Sequence, residues 1–328
     1  MAVKDLLIMM AATQATVPGG TWTQKLDYTG SGRMAVWQPS TQRAYLGGDT
    51  GIVYTTNQAS TITNPAVGIT TSVWGNIIGS YVFASARQIK SAYYSLTGSS
   101  YTTTSYTVPN AYLERSVGGV TNGLMYSADS PRNAMVRVTP STNTITDITA
   151  DFKAAMPLST TDCHGAYLPQ QAVSIIGGQN GNYVISTDDN LTFTMLTMSL
   201  PGVVGSMNAV VETSAGRCIA CVGETIYYSD DVTNPNSWVL AYDATNVTTV
   251  LWGNGNIIAS STNSDLTILG SQQTGADGFL FSKDNGVTWN LDTAFLVAST
   301  NYINQVCYAG NNTFLAVTNL NEVYAGAY

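Results

Sequence analysis

Short apolar runs alternate with turn residues along the whole chain, and one signature recurs. An apolar or aromatic pair is followed by Ser or Thr, often with an acid two places on. It reads VYTTN from Val53, YYSLT from Tyr93, MYSAD from Met125, VISTD from Val184, YYSDD from Tyr227 and LFSKD from Leu280, with a degenerate VYAGA from Val323. Upstream of most copies an apolar stretch relaxes into small residues: AYLGG, YVFASA, VSIIGG, CIACVG, LTILGS and FLAVT. Turns bearing Gly, Asn or Asp join the two, which predicts antiparallel hairpins. A further run lies ahead of each hairpin, in MAVWQP, SVWGN, GAYLP, NAVVET, TVLWGN and NQVCYA. Another follows the signature, clearest in LTFTMLTM and VTWNLDTA. Each unit therefore predicts four short strands.

The signatures stand about 32 to 59 residues apart, with a mean in the mid-forties, which is the scale of a propeller blade. Seven such units fill the chain. The predicted fold is all-β, a seven-bladed β-propeller of four-stranded antiparallel blades. Small residues in the strands near the axis suit it, because blades converge there. The sequence ends at NEVYAGAY, where the third strand of the last unit finishes and no fourth follows. Near the start stands PGGTWTQKLD. Residues near 21–27, led by Gly20, Thr21 and Trp22, are expected to supply the missing outer strand and close the ring, removing unpaired sheet edges. Residues 18–328 then form one domain, and residues 1–17 an arm outside it.

Composition narrows the setting. Hydrophobic residues make up 44% of the 328, enough for a large core, while charged residues make up only 10%. The polar surface must be built from Ser, Thr, Asn, Gln and Gly; glutamate occurs only at Glu114, Glu212, Glu224 and Glu322. The net charge of −8 excludes a general nucleic-acid binder, which needs a basic surface to displace counterions. The apolar run Leu6 to Ala12 is too short to span a bilayer. Of the cysteines Cys163, Cys218, Cys221 and Cys307, the CIAC pair has metal-site spacing. On a strand, however, an offset of three puts the thiols on opposite faces. With His164 as the one histidine, a four-ligand zinc site is not expected, and buried small hydrophobes are the preferred reading. Their disulfide state is open.

The stretch SKDNGVTW resembles the Asp-box, or bacterial neuraminidase repeat, Ser-x-Asp-x-Gly-x-Thr-Trp. Ser282, Asp284, Gly286, Thr288 and Trp289 match every fixed position. STDDNLTF is similar through Ser186, Asp188, Thr192 and Phe193, with Asn190 in place of Gly. SDDVTNPNSW keeps Ser229, Asp231 and Trp238 around a longer loop, SAD at 127–129 keeps only the start, and the first two copies are weaker still. In such a box the Asp accepts backbone N–H groups of the turn, the Gly permits a positive φ, and the aromatic packs under the hairpin. The resemblance implies a structural fastener away from any catalytic centre.

A sialidase also needs an arginine triad, a Glu-activated Tyr and an acid/base Asp. Arg33, Arg43, Arg87, Arg115, Arg132, Arg137 and Arg217 suffice in number, but none sits in the family's Arg-Ile-Pro context. The pairs Asp188–Asp189 and Asp230–Asp231 fall within boxes and form no calcium loop. The expectation is a non-enzymatic protein with no cofactor or metal. Low Lys and Glu, abundant Thr, Ser, Asn, Gly and Tyr, and degenerate boxes resemble bacteriophage tail and virion proteins. That resemblance implies a tail, hub or baseplate adaptor, or a host-attachment platform, bound to other virion proteins in a symmetric assembly. The alternatives are a secreted or surface carbohydrate-binding adhesin that uses loop aromatics and, less favoured, a sialidase-like glycosidase.

Overall fold

The structure is a computed structural model that describes residues 20–27, 34–48, 51–64, 73–86, 91–106, 113, 115–127, 134–156, 164–243, 257–270, 279–292, 303–318 and 322–328. The proposed arm at 1–17 lies outside them. Strand β1 (Thr21–Asp27) comes first and is used last. Blade 1 follows with β2 (Met34–Gln38), β3 (Arg43–Gly48) and β4 (Gly51–Thr55); blade 2 has β5 (Val73–Ile78), β6 (Tyr81–Ala86), β7 (Ser91–Ser95) and β8 (Thr102–Ser105). Blade 3 is β9 (Arg115–Val117), β10 (Gly123–Ser127), β11 (Ala134–Thr139) and β12 (Thr144–Asp147). Blade 4 is β13 (Gly165–Leu168), β14 (Val173–Gly177), β15 (Asn182–Ser186) and β16 (Thr194–Thr197). Blade 5 is β17 (Met207–Glu212), β18 (Cys218–Val222), β19 (Thr225–Ser229) and β20 (Val239–Asp243). Blade 6 is β21 (Ile258–Ser260), β22 (Thr267–Leu269), β23 (Phe279–Ser282) and β24 (Asn290–Asp292). Blade 7 has β25 (Ile303–Tyr308), β26 (Thr313–Thr318) and β27 (Glu322–Ala327), completed by β1.

Among the described residues there are seven antiparallel sheets, six of four strands and one of three. In blade 1 a bridge from Tyr54 to Thr63 stands where the fourth strand would lie. Seven apolar clusters occupy the seven interfaces between neighbouring blades. The ring is thus built from radial sheets, each burying both faces against its neighbours. That explains the continuous apolar runs of the second and third strands, which lack the alternation of one-sided sheets. Close approach selects the small residues. A Cβ on Gly177 would stand 2.4 Å from Met207 on the next blade's inner strand, and one on Gly75 2.7 Å from Met34.

The strand expectations need correction in two blades. The MYSAD signature predicts a third strand, but β10 is the second strand of blade 3, and the third is β11 (AMVRVT). This misplacement produced both the shortest and the longest spacing, and the blades are more even than the signatures suggested. In blade 6 the inner strand is β21, after the TVLWGN stretch, which lies outside the described residues. Among the described residues an unforeseen α-helix, α1 (Thr149–Ala155), follows β12 and buries Phe152 in the cluster between blades 3 and 4.

Candidate functional site

The sharp turns after the third strands are held by their own side chains. In blade 6 the Ser282 hydroxyl donates to Asp284 Oδ1 at 2.8 Å and accepts the Gly286 N–H at 2.8 Å. The Asp284 carboxylate accepts the Thr288 N–H at 2.8 Å and the Thr288 hydroxyl at 2.6 Å. Gly286 has φ 81°, and Trp289 is buried with its Nε1 donating to the Gly286 carbonyl at 3.0 Å. Blade 4 repeats the pattern through Ser186, Asp188 and Thr192, with Asn190 at φ 67° in the glycine position. Phe193 is only half-buried and packs edge-on to Phe152 at 6.3 Å. Burial raises the Asp188 and Asp284 carboxyls, but hydrogen bonds led by Thr192 and Thr288 outweigh it and hold both below the ordinary 3.8. Blade 5 differs. There Asp231 turns to Thr233, accepting its N–H at 3.0 Å and its hydroxyl at 2.6 Å, while Ser229 meets Ser237 at 2.6 Å. Its Trp238 is buried and donates to the Tyr183 hydroxyl of blade 4 at 3.2 Å.

Blade 1, one of the two weakest copies by sequence, carries the same network in other residues. Thr55 Oγ1 donates to Asn57 Oδ1 at 2.9 Å and accepts the Ala59 N–H at 3.0 Å; Thr61 N donates to Asn57 Oδ1 at 2.9 Å. Thr, Asn, Ala and Thr occupy the places of Ser, Asp, Gly and Thr, with Ala59 at φ 63°.

These turns share one face of the ring with the turns that end the inner strands, and on that face every blade is tied to the next. Gln38 Nε2 donates to the Ser80 carbonyl at 2.5 Å, and Gly79 N to the Gly119 carbonyl at 2.8 Å. Asp189, the second acid of its pair, accepts the N–H groups of Val120, Thr121 and Asn122 at 2.8 to 3.0 Å. Glu212 accepts those of Gln170 and Gln171 at 2.9 and 3.1 Å. Ser214 donates to the Ser264 carbonyl at 2.8 Å, Ser264 to Asn312 at 2.9 Å, and Gln58 to the Gly310 carbonyl at 3.5 Å.

The ring closes as expected. β1 pairs antiparallel with β27, with Thr21 opposite Ala327 and Trp22 opposite Gly326. The agent that locks it was not foreseen. Asp292, at the end of β24 in blade 6 and 1% exposed, accepts the Gly20 N–H at 2.9 Å, Trp22 Nε1 at 3.1 Å and the Tyr328 hydroxyl at 2.7 Å. Trp22 also stacks on Phe279 at 4.4 Å. One buried carboxylate thereby holds both ends of the described chain. Burial, then the Asp292 charge, drives the Tyr328 phenol far above its usual value.

Along the axis the inner strands enclose a channel. At the tied face it widens into a cavity of about 710 Å³ with apolar walls that include Trp37, Ile77, Tyr167, Val211 and Tyr308. Toward the starts of the inner strands it narrows to a pocket of about 30 Å³ beside Trp74, Asn76, Arg115, Ser116, His164 and Gln305. Burial, and then the Arg115 charge, hold the His164 imidazole well below 6.5 and therefore neutral.

No arginine triad gathers among the described residues. Arg43 donates to the Thr97 carbonyl, Arg137 to that of Asn190, and Arg217 pairs with Asp230, each at a different blade. Cys218, Cys221 and Cys307 are buried free thiols; Cys218 and Cys221 enter different clusters from opposite faces of β18. Burial pushes the Cys307 thiol up to about 12. Cys163 lies outside the described residues. No cluster of three potential metal ligands occurs among the described residues, and no helix there is long and apolar enough to cross a membrane.

No protein-family model and no curated protein matches the chain. Solved structures do. Virginiamycin B lyase from Staphylococcus aureus superposes with a TM-score of 0.69 at 9% identity, over 94% of this chain and 99% of that one. YCF48 bound to a D1 peptide gives 0.65 at 11% identity, over 96% and 97%. U3-55K gives 0.64 at 10% identity, over 94% and 98%. The resemblance to neuraminidase repeats and to phage tail proteins therefore rests on the sequence alone. The expectation of a non-enzymatic protein is overturned: the rings the chain matches include a lyase, so absence of a sialidase set is no ground for excluding catalysis. What the comparisons establish is the fold alone, a propeller ring shared with a lyase, with YCF48 and with a chain of the mitotic checkpoint complex.

Proposed function

We propose that this ring is a binding platform of a virion, in a tail, hub or baseplate, that takes a segment of a neighbouring virion protein into the wide mouth of its axial channel. The mouth carries the reading. It has the volume and apolar walling of a ligand site, with the Glu212 carboxylate at its edge. Val120 is 60% exposed at its rim, and Leu96, Leu191 and Val287 are exposed on turns of the same face. Scattered apolar residues mean little, but Val120 stands at the concave opening itself, where an exposed apolar side chain suits a protein contact. The seven ties keep that face rigid, so little ordering entropy opposes association. A ring of this fold, YCF48, is known bound to a D1 peptide, a precedent for a propeller taking a chain segment. The virion setting is supported by the 10% charged content and the net charge of −8, which suit a surface near passing DNA that must not hold it.

A photo-crosslinking residue in place of Val120, carried into assembling particles, tests both parts. Capture of a virion protein at that position is the expected result. A chain absent from purified particles would remove the virion setting. Saturable glycan binding blocked by Trp37→Ala would move the mouth to the adhesin reading.

A further inference from the structure

We infer that the wide mouth is the docking site of the chain's own N-terminal segment, with residues 6–12 (LLIMMAA) seated on its apolar wall. Those residues form the longest unbroken apolar run in the chain, and they precede Gly20, where the described residues begin. A run of that length without charge gains free energy by leaving water. The mouth has the matching chemistry. Among its described lining residues Glu212 carries the only formal charge, and Trp37, Ile77, Val211 and Tyr308 stand in the apolar wall. Its volume of about 710 Å³ is that of a ligand pocket. Met9 and Met10 bring unbranched, adaptable side chains that fill irregular gaps.

Strand register brings the segment in at the end of the ring where the mouth lies. Thr21 pairs with Ala327, Ala327 with Thr313, and Phe314 with Tyr308, so β1 begins level with the end of β25. Tyr308, at that end, lines the mouth. Beside Gly20, Tyr328 donates its N–H to the Asn312 carbonyl at 3.2 Å, in the turn that ties blades 6 and 7. From β1 to β25 is three strand spacings, about 14 Å. Residues 13–19 (TQATVPG) span about 23 Å when extended, so Ala12 reaches the mouth with length to spare. So short a tether gives the segment a high effective concentration at its own mouth, which favours docking within one ring over exchange between copies. The contact does not depend on the virion reading; a neighbour's segment would have to displace this one.

Photo-crosslinking in the purified full chain tests it, with p-benzoylphenylalanine in place of Leu7 and mass spectrometry of the joined peptides. The expected product joins the segment to a wall of the mouth, at residues 165–170, 210–214 or 258–262. In an equal mixture of ¹⁵N-labelled and unlabelled chains, each joined pair is expected to carry a single label. Pairs of mixed label would overturn docking within one ring and assign the mouth to a second copy. Crosslinks away from the mouth, or none, would overturn the inference altogether. Nile red, a neutral apolar dye, gives a second reading. Ile8→Asp leaves every described strand untouched and is expected to tighten dye binding roughly tenfold by freeing the mouth; equal binding by the two chains would count against docking. No virion protein is present in either experiment, so a failure here leaves the platform reading to the Val120 crosslink.

Discussion

At the residue scale the box turns show what matters in a fastener. The network needs a hydroxyl, an acceptor two places on and a residue that tolerates positive φ; it does not need Ser, Asp and Gly. Blade 1 achieves it with Thr55, Asn57 and Ala59. An exact motif hides this copy because Asn Oδ1 accepts backbone N–H groups as Asp does, without the charge. Asp284→Ala is expected to cost about 1–3 kcal/mol, because the Thr288 N–H and hydroxyl lose a charged acceptor. Asn57→Ala should cost less, and urea unfolding compares the two. Acidification should act in two windows. His164 has a folded pKa below its unfolded 6.5, so its contribution is complete above that value and is lost as pH falls toward the folded pKa. The slope is about 1.4 kcal/mol per pH unit for one proton, and His164→Gln should remove it. The lowered carboxyls of Asp188 and Asp284 act later: their contribution is present above 3.8 and lost as pH falls through their folded values.

At the element scale the outer strand of the last blade decides closure. β1 was legible because GGTW repeats the back half of the blade 6 box. Its anchor was not, since Asp292 lies at |i−j| of 272 from Gly20 and 36 from Tyr328, and in sequence it is one more acid after a strand. Asp292→Ala leaves three donors without their acceptor and should cost about 3 kcal/mol or more, read as a lowered urea midpoint. Deleting residues 1–27 should lower the thermal midpoint and promote self-association, because it bares the β27 edge. An unchanged midpoint would refute closure by β1. Gly326→Ala should mimic the deletion in milder form, since its Cβ would fall 2.5 Å from the Trp22 ring.

At the scale of the whole molecule, seven apolar interfaces and seven polar ties make one rigid ring with a wide mouth on the tied face. A change at the rim should separate binding from stability. Val120→Arg, at a 60% exposed site, is expected to leave the unfolding free energy within about 0.5 kcal/mol and to abolish co-purification of the neighbouring virion protein. Joint loss of both would mean that Val120 supports the ring.

The sequence by itself determined the strand-rich class, the blade period, the number of units and the source of the closing strand. Those are local properties: apolar runs, turn chemistry and repetition survive in one dimension. It misled in blade 3, where Tyr126-Ser127 copies the signature one strand early, because pairing partners and not short words define a strand's rank. Only the tertiary structure decided which acids bridge blades, as Asp189, Glu212 and Asp292 do, and that His164 and Arg115 meet at the axis. Each of those contacts depends on the angle at which seven separate sheets converge, and ring geometry leaves no trace in the spacing of residues along the chain.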